Sequence, residues 1–249
     1  SPTIDQVGVE ERAKRFCARS IKKGTKMSAL KLAVTMLDVT TLEGADSVGK
    51  VRQMCQKAMQ PLPGDPSVGP AAAVCVYPRM VKTAAKAVEG SSVLVASVAT
   101  QFPSGQMRLK ERLAEVRYAV GEGADEIDMV ISRGQFLQGE YRAIFDEVAA
   151  CKEACGGAHL KVILETASLS HDEKVIACAL SKIAGAAFVK TSTGFGSGGA
   201  TAEDIELMRN IVGPEMGVKA SGGVRTREDV ENMVQAGATR VGASSSVAI

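Results

Sequence analysis

Eight short apolar runs alternate with longer amphipathic stretches along most of the 249 residues. Strands of a parallel sheet are buried on both faces and therefore form continuous apolar runs, whereas the helices that connect them carry apolar residues at helical spacing. This alternation predicts successive βα units and hence an α/β fold. The predicted strands are Val34–Val39, Ala71–Tyr77, Val93–Ala99, Glu126–Ile131, Leu160–Glu165, Ala187–Ser192, Gly217–Ala220 and Arg240–Ala243.

Eight βα units are the number that closes a (β/α)8 TIM barrel, and we expect a single domain over residues 33–249. A doubly wound open sheet is the alternative, but its early glycine fingerprint is missing. Residues 1–32 are polar and periodic, which predicts an N-terminal helical extension. Only four residues follow Ser245, so we expect the last helix to be largely missing. Because the chain begins without Met, the sequence leaves open whether a targeting segment has been removed.

Composition argues against several classes of partner. The net charge is +2 and the basic residues are spread out, so no nucleic-acid partner is expected. No apolar run approaches the length of a membrane span. Six cysteines without a CxxC pair and two separated histidines argue against a metal site. We therefore expect a cytoplasmic protein that uses no metal and no cofactor.

Four ionisable residues fall in or at the ends of predicted strands, where a TIM barrel places its active site. Asp38 closes the first predicted strand, and Asp128 lies in the fourth. Lys190 ends the sixth strand and Lys219 the seventh. Burial lowers the pKa of a lysine, and two adjacent ammonium groups disfavour each other's charge. One lysine should thus be a free amine able to attack a carbonyl, with Asp128 able to transfer protons through water. The other interpretation is that each lysine reaches solvent at the barrel rim and that Asp128 forms only a structural ion pair.

Glycine-rich segments follow the last three predicted strands. Backbone N–H groups beside glycine can approach an anion closely, and barrel enzymes often bind phosphate near strands seven and eight. We therefore predict a phosphate site formed by these segments, which are Thr193–Gly199, Ser221–Gly223 and Gly242–Ser245.

Five segments of the chain carry a resemblance to one known family, and they are, in order, Leu37–Leu42, Val74–Pro78, Gly123–Asp128, Phe188–Gly194 and Lys219–Arg225. They resemble deoxyribose-phosphate aldolase, a family of class I aldolases with the barrel fold. The resemblance runs from about Leu32 to Ser245 and implies reversible, metal-free cleavage of 2-deoxy-D-ribose 5-phosphate to acetaldehyde and glyceraldehyde 3-phosphate, as in deoxyribonucleotide catabolism. It implies that Lys190 forms the Schiff base, that Lys219 lowers its pKa and that Asp128 transfers protons with water. It also implies that the phosphate is held by five residues, which are Gly194, Gly222, Gly223, Ser244 and Ser245. Asp38, Cys75 and Thr193 are expected to support the site, Cys75 as pocket lining rather than as a nucleophile.

The chain departs from the family pattern at two positions and at its C-terminus. Ala187 stands where the family usually has Asp, and Ala167 where it has Gly. The family's C-terminal tail, which ends in a tyrosine in some members, has no counterpart. Two alternatives stay open: a class I aldolase for a different phosphorylated sugar, and a non-catalytic barrel that binds a partner protein. The sequence does not set the oligomeric state, and a homodimer is compatible with it.

Overall fold

The computed structural model describes residues 23–243 and contains the predicted closed barrel. Its eight strands are parallel and follow chain order, and β8 pairs with β1 to complete the ring. This closure confirms the TIM barrel and excludes the open-sheet alternative. The strands are β1 Leu37–Thr40, β2 Ala73–Val76, β3 Leu94–Ala99, β4 Glu126–Val130, β5 His159–Ile163, β6 Phe188–Lys190, β7 Gly217–Ser221 and β8 Arg240–Ala243.

Helices separate the strands and cover the outside of the barrel. One helix, α1 (Lys23–Val34), precedes β1, while the rest of the predicted N-terminal extension, residues 1–22, lies outside the described residues. None of the helices described within residues 23–243 is both long and apolar enough to cross a bilayer. The others are α2 Val48–Met59, α3 Val81–Val88, α4 Leu109–Gly121, α5 Arg133–Leu137, α6 Tyr141–Cys155, α7 His171–Ile183, α8 Ala202–Val212 and α9 Arg227–Gln235, with short 3₁₀ turns at Pro78–Met80 and Thr166–Ser168.

Side-chain caps fix where several of these helices begin. Capping boxes at Ser170 and Thr226 are both complete, so each satisfies backbone N–H groups at both ends of the first turn. At Thr201 only half of the box forms. The Thr201 hydroxyl accepts the N–H of Asp204, but the Asp204 carboxylate binds Lys174 at 2.6 Å instead. Asp204 thereby ties α8 to α7.

Strand register brings the predicted catalytic residues together inside the barrel. Lys190 and Lys219 are partners across β6 and β7, and Asp128 is the partner of Lys161 across β4 and β5. Lys190 ends its strand as predicted. Asp38 and Lys219 do not: Asp38 is the second residue of β1, and Lys219 is the third of five in β7. The hydrogen-bonded ladder continues past both charged residues, so their side chains lie deeper in the barrel than expected.

Candidate active site

Asp128 is the centre of a buried cluster of charges near the carboxyl ends of the strands. Its Oδ2 accepts hydrogen bonds from Lys190 Nζ and Lys219 Nζ, each at 2.8 Å. Its Oδ1 accepts one from Lys161 Nζ at 2.9 Å. All four side chains are almost fully buried. The structure therefore brings the three predicted catalytic residues into direct contact and adds a third lysine.

The cluster continues toward the amino ends of the strands through four further ion pairs. Lys219 Nζ lies 2.5 Å from Asp38 Oδ2, and Arg240 binds the other oxygen of Asp38 at 2.8 Å. Arg240 also binds Glu126 at 3.0 Å, and Lys161 binds Glu126 at 2.5 Å. Asp38 thus forms an ion pair with Lys219, and the supporting role expected for it stays a prediction. Every charge in this chain of contacts has a partner of opposite sign, as buried charges require.

The charge count of this cluster bears on the state of Lys190. Four basic groups face three carboxylates, and the two signs balance only when one base is neutral. Lys190 ends the chain of contacts with a single carboxylate partner, Asp128, while the other three bases each bind two carboxylates. Lys190 is therefore the base that can be neutral at the least electrostatic cost. The bases are Lys161, Lys190, Lys219 and Arg240, and the acids are Asp38, Glu126 and Asp128.

The direction of each pKa agrees with this count. Burial lowers the pKa of Lys190, and the nearby charge of Lys219 lowers it further against the opposing effect of Asp128. Burial would also lower the pKa of Lys219, but its contacts with Asp128 and Asp38 outweigh burial and raise it. For Asp128, burial acts to raise the pKa, yet the three lysines hold it well below the usual value. The arrangement favours a neutral amine on Lys190 beside an ammonium on Lys219.

Two of the expected supporting residues have distinct electrostatic states. Burial would raise the pKa of Asp38, but the charges of Lys219 and Arg240 hold it at about 2. Burial raises the pKa of the Cys75 thiol to about 11, so this cysteine is protonated near neutral pH. Cys75 belongs to a buried apolar cluster with Phe102 and Ile163. Cys75 is not among the residues that line the cavity beside Lys190, so its role as pocket lining stays a prediction. Its protonated thiol is a poor nucleophile.

A cavity of about 660 Å³ opens from Lys190 and Lys219 to the surface, lined in part by Thr193, Gly194, Gly222 and Gly223. The loop after β6 packs directly on the loop after β7. A Cβ atom at Gly199 would lie 2.3 Å from the carbonyl oxygen of Gly222, so this approach requires glycine. The three glycines predicted to bind phosphate therefore line one cavity with both lysines. The remaining two predicted phosphate ligands, Ser244 and Ser245, lie outside the described residues.

Three aromatic rings form one wall beside Lys190. Phe102 contacts Tyr77 and Phe195 edge to face, with ring centroids 6.1 and 5.6 Å away. Lys190 Nζ lies 6.0 Å from the centroid of Phe102. Phe195 is on the glycine-rich loop after β6, so the wall joins that loop to the loop after β3. Among residues 23–243 no three or more His, Cys, Asp or Glu side chains are grouped so that they could hold a metal ion.

Sequence reasoning did not identify Lys161, Glu126 or Arg240 as members of the site. Each lies in a predicted strand, and in a strand buried on both faces the apolar pattern does not show which side chains point into the barrel. Two signals were available. Glu126 and Asp128 are two residues apart, which places both on the same face of β4, and Lys161 interrupts an otherwise apolar strand.

Comparison with known proteins gives one consistent family. The family model described as DeoC/LacD family aldolase matches residues 31–248. The deoxyribose-phosphate aldolase of Clostridium perfringens strain 13 is 46% identical over 215 residues, which cover 86% of this chain and 92% of that protein. The enzyme of the same name from Thermotoga petrophila is 51% identical over 176 residues, covering 71% of each chain.

Solved structures agree with the sequence matches. A structure from Coccidioides immitis that carries the provisional name deoxyribose-phosphate aldolase has a TM-score of 0.82 and 37% identity, covering 88% of this chain and 84% of that one. The deoxyribose phosphate aldolase of Aeropyrum pernix, described as tetrameric, has a TM-score of 0.75 and 30% identity, covering 86% and 88% of the two chains.

Proposed function

The chain belongs to the DeoC/LacD aldolase family, and from this premise we propose that it cleaves 2-deoxy-D-ribose 5-phosphate reversibly through a Schiff base on Lys190. The products are acetaldehyde and glyceraldehyde 3-phosphate. The observation that carries the proposal is the buried cluster in which Lys190 and Lys219 share Asp128 Oδ2. Its charges balance when Lys190 is neutral, and a neutral amine is the state that attacks an aldehyde.

The reaction begins when the Lys190 nitrogen adds its lone pair to C1 of the open-chain sugar. The nitrogen loses one proton and the former carbonyl oxygen gains two, so the oxygen leaves as water and an iminium ion remains. The C3 hydroxyl then loses its proton, and the electrons of the C2–C3 bond move into the iminium as that bond breaks. Glyceraldehyde 3-phosphate is released, and the two remaining carbons stay on Lys190 as an enamine.

Asp128 is placed to handle the protons of these steps. It touches Lys190 directly, so with a water molecule it can deliver a proton to C2 of the enamine. The resulting iminium is hydrolysed, which frees acetaldehyde and restores the amine. Lys219 keeps its positive charge throughout, because it contacts both Asp38 and Asp128, and it holds the pKa of Lys190 down.

The phosphate is proposed to bind between the loops after β6 and β7. Gly194, Gly222 and Gly223 line the same cavity as Lys190, and Ser244 and Ser245 follow β8 directly in the sequence. Glycine lets backbone N–H groups approach an anion closely. Bound there, the phosphate would hold the sugar with its aldehyde end toward the lysine, which is the orientation that the addition step requires.

The cellular setting is part of the proposal. Five cysteines are buried and free within the described residues, which fits the reducing cytoplasm, and the reaction fits deoxyribonucleotide catabolism. The homodimer considered from the sequence stays a prediction that sedimentation of the purified protein can test.

Retro-aldol turnover of 2-deoxyribose 5-phosphate, coupled to detection of glyceraldehyde 3-phosphate, tests the proposal. We expect Lys190→Ala to lower kcat more than about a thousandfold, as loss of a covalent nucleophile does. Lys174→Ala is the matched control, because Lys174 pairs with Asp204 between two outer helices. Turnover that persists in Lys190→Ala would refute the nucleophile. A wild-type protein without turnover would favour a different phosphorylated sugar or a barrel that only binds.

A further inference from the structure

Glu165 is a buried carboxylate outside the charge cluster, two residues beyond the end of β5. Its backbone adopts the left-handed conformation, with φ of 59°, and its side chain is 1% exposed. A residue other than glycine is held in this conformation only where the surrounding structure enforces it. The carboxylate is bound on two sides, by Thr193 and by Arg133. These contacts explain how a strained and buried acid is retained.

On one side Glu165 fixes the start of the glycine-rich loop after β6. The Thr193 hydroxyl donates to Glu165 Oε2 at 2.6 Å, and the Thr193 N–H points to the same carboxylate at 3.3 Å. The Thr193 hydroxyl oxygen in turn accepts the N–H of Phe195 at 3.1 Å. A Cβ atom at Gly196 would lie 3.0 Å from Glu165 Oε1, so the loop rests on the carboxylate. The turn that carries Gly194 is therefore built around Glu165.

On the other side Glu165 binds an arginine that reaches a different loop. Arg133, the first residue of α5, donates to Glu165 Oε2 at 3.2 Å and to the carbonyl oxygen of Pro103 at 3.2 Å. Pro103 follows Phe102, whose ring contacts both Phe195 and the surroundings of Lys190. Glu165 and Arg133 thereby connect the loops after β3, β4, β5 and β6. These connected loops border the Schiff-base lysine.

We propose that Glu165 and Arg133 are positioning residues that hold the phosphate-binding loop at a set distance from Lys190, and that this contact sets the preference for a phosphorylated over an unphosphorylated sugar. The inference rests on the proposed function. Neither residue needs to touch the reacting atoms. A substrate that is held by its phosphate depends on the position of the loop, whereas 2-deoxyribose without a phosphate does not use that anchor.

The selectivity ratio measures this effect. It is kcat/KM for 2-deoxyribose 5-phosphate divided by kcat/KM for 2-deoxyribose. We expect Glu165→Gln and Arg133→Met each to lower the ratio by between about 10- and 100-fold, since displacement of a bound substrate by about 1 Å has effects of that size. The double variant should be no worse than the poorer single variant, because both changes break one contact. Arg133→Lys, which keeps the charge, should restore part of the ratio.

Glu147→Gln is the matched control. Glu147 is also buried, and it also accepts from an arginine and from a backbone N–H, but its partner is Arg112 and the pair joins α6 to α4. A ratio unchanged in this variant would show that loss of a buried Arg–Glu pair is not sufficient. If Glu165→Gln and Arg133→Met lower both kcat/KM values equally, or if their effects on the ratio multiply in the double variant, the inference is wrong. Loss in Arg133→Met alone would overturn it in favour of direct phosphate binding by Arg133. A wild type that cleaves neither sugar would instead refute the proposed function.

Discussion

Replacing Lys219 with methionine removes the positive charge that lies nearest to Lys190 while keeping most of the side-chain volume. Both Nζ atoms contact Asp128 Oδ2 at 2.8 Å, so they are at most twice that distance apart, 5.6 Å. Two unit charges at this separation repel by about 3 kcal/mol at an effective dielectric constant of about 20. Loss of this repulsion should raise the pKa of Lys190 by about 2 units. Lys161 still pairs with Asp128, and Arg240 with Asp38, so both carboxylates stay ionised.

The assay is the pH dependence of kcat/KM for 2-deoxyribose 5-phosphate. The acidic limb of this profile reports the ionisation of Lys190 in the free enzyme, because only the neutral amine adds to the aldehyde. We expect the limb to move about 2 pH units upward in Lys219→Met. Lys174→Met, which removes a lysine from the outer helices, should leave the limb in place. A rate that falls in Lys219→Met while the limb stays at its wild-type position would refute the electrostatic role of Lys219.

Three further outcomes follow from the structure. Cys75→Ala should keep Schiff-base chemistry, because a protonated buried thiol contributes packing only. The variant should lose about 1 to 3 kcal/mol of unfolding free energy, measured by urea denaturation. Loss of borohydride trapping on the lysine would contradict this expectation. Gly217→Ala should lower the Tm, since a Cβ atom there would lie 2.1 Å from the Phe188 ring. Gly121→Ala is the control, because its Cβ atom would meet nothing within 4 Å. Equal Tm values for the two variants would show that the ring moves freely. Asp38 has a folded pKa of about 2 against an ordinary 3.8, so its stabilising effect is complete above the ordinary value and is lost as the pH falls through about 2. As the pH falls, the wild type should lose about 2 kcal/mol of unfolding free energy through Asp38. Acid unfolding of Asp38→Asn, measured beside the wild type, should lack this part of the pH dependence.

The fold could be predicted because each strand of the barrel is a distinct apolar run between helical stretches. The burial of Lys190, Lys219 and Asp128 inside the barrel could be predicted for the same reason, since a charge inside an apolar run is conspicuous. The depth at which each charged side chain lies inside the barrel could not be predicted. Where a run ends in the sequence does not fix where the hydrogen-bonded ladder ends, and so Asp38 and Lys219 lie within their strands rather than at the ends.

The conformations of the loops could not be predicted from the sequence. Thr100, Gln101 and Glu165 all have positive φ although none is glycine. Residues of these types seldom adopt that conformation, and no local pattern signals it. The positions of Phe102 and of the glycine-rich loop depend on these three residues, together with the Arg133 contact that crosses between loops. Long-range contacts of this kind are decided by tertiary packing, so only the structure reveals them.

Borohydride reduction in the presence of acetaldehyde, followed by peptide mass mapping, is the direct test of whether Lys190 forms the Schiff base. The imine formed between the aldehyde and the nucleophilic lysine becomes a stable secondary amine. We expect one added ethyl group on Lys190 in the wild type, and none at the corresponding position in Lys190→Ala. Addition to Lys219 or Lys161 instead, or no addition at all in a protein that turns over 2-deoxyribose 5-phosphate, would contradict it.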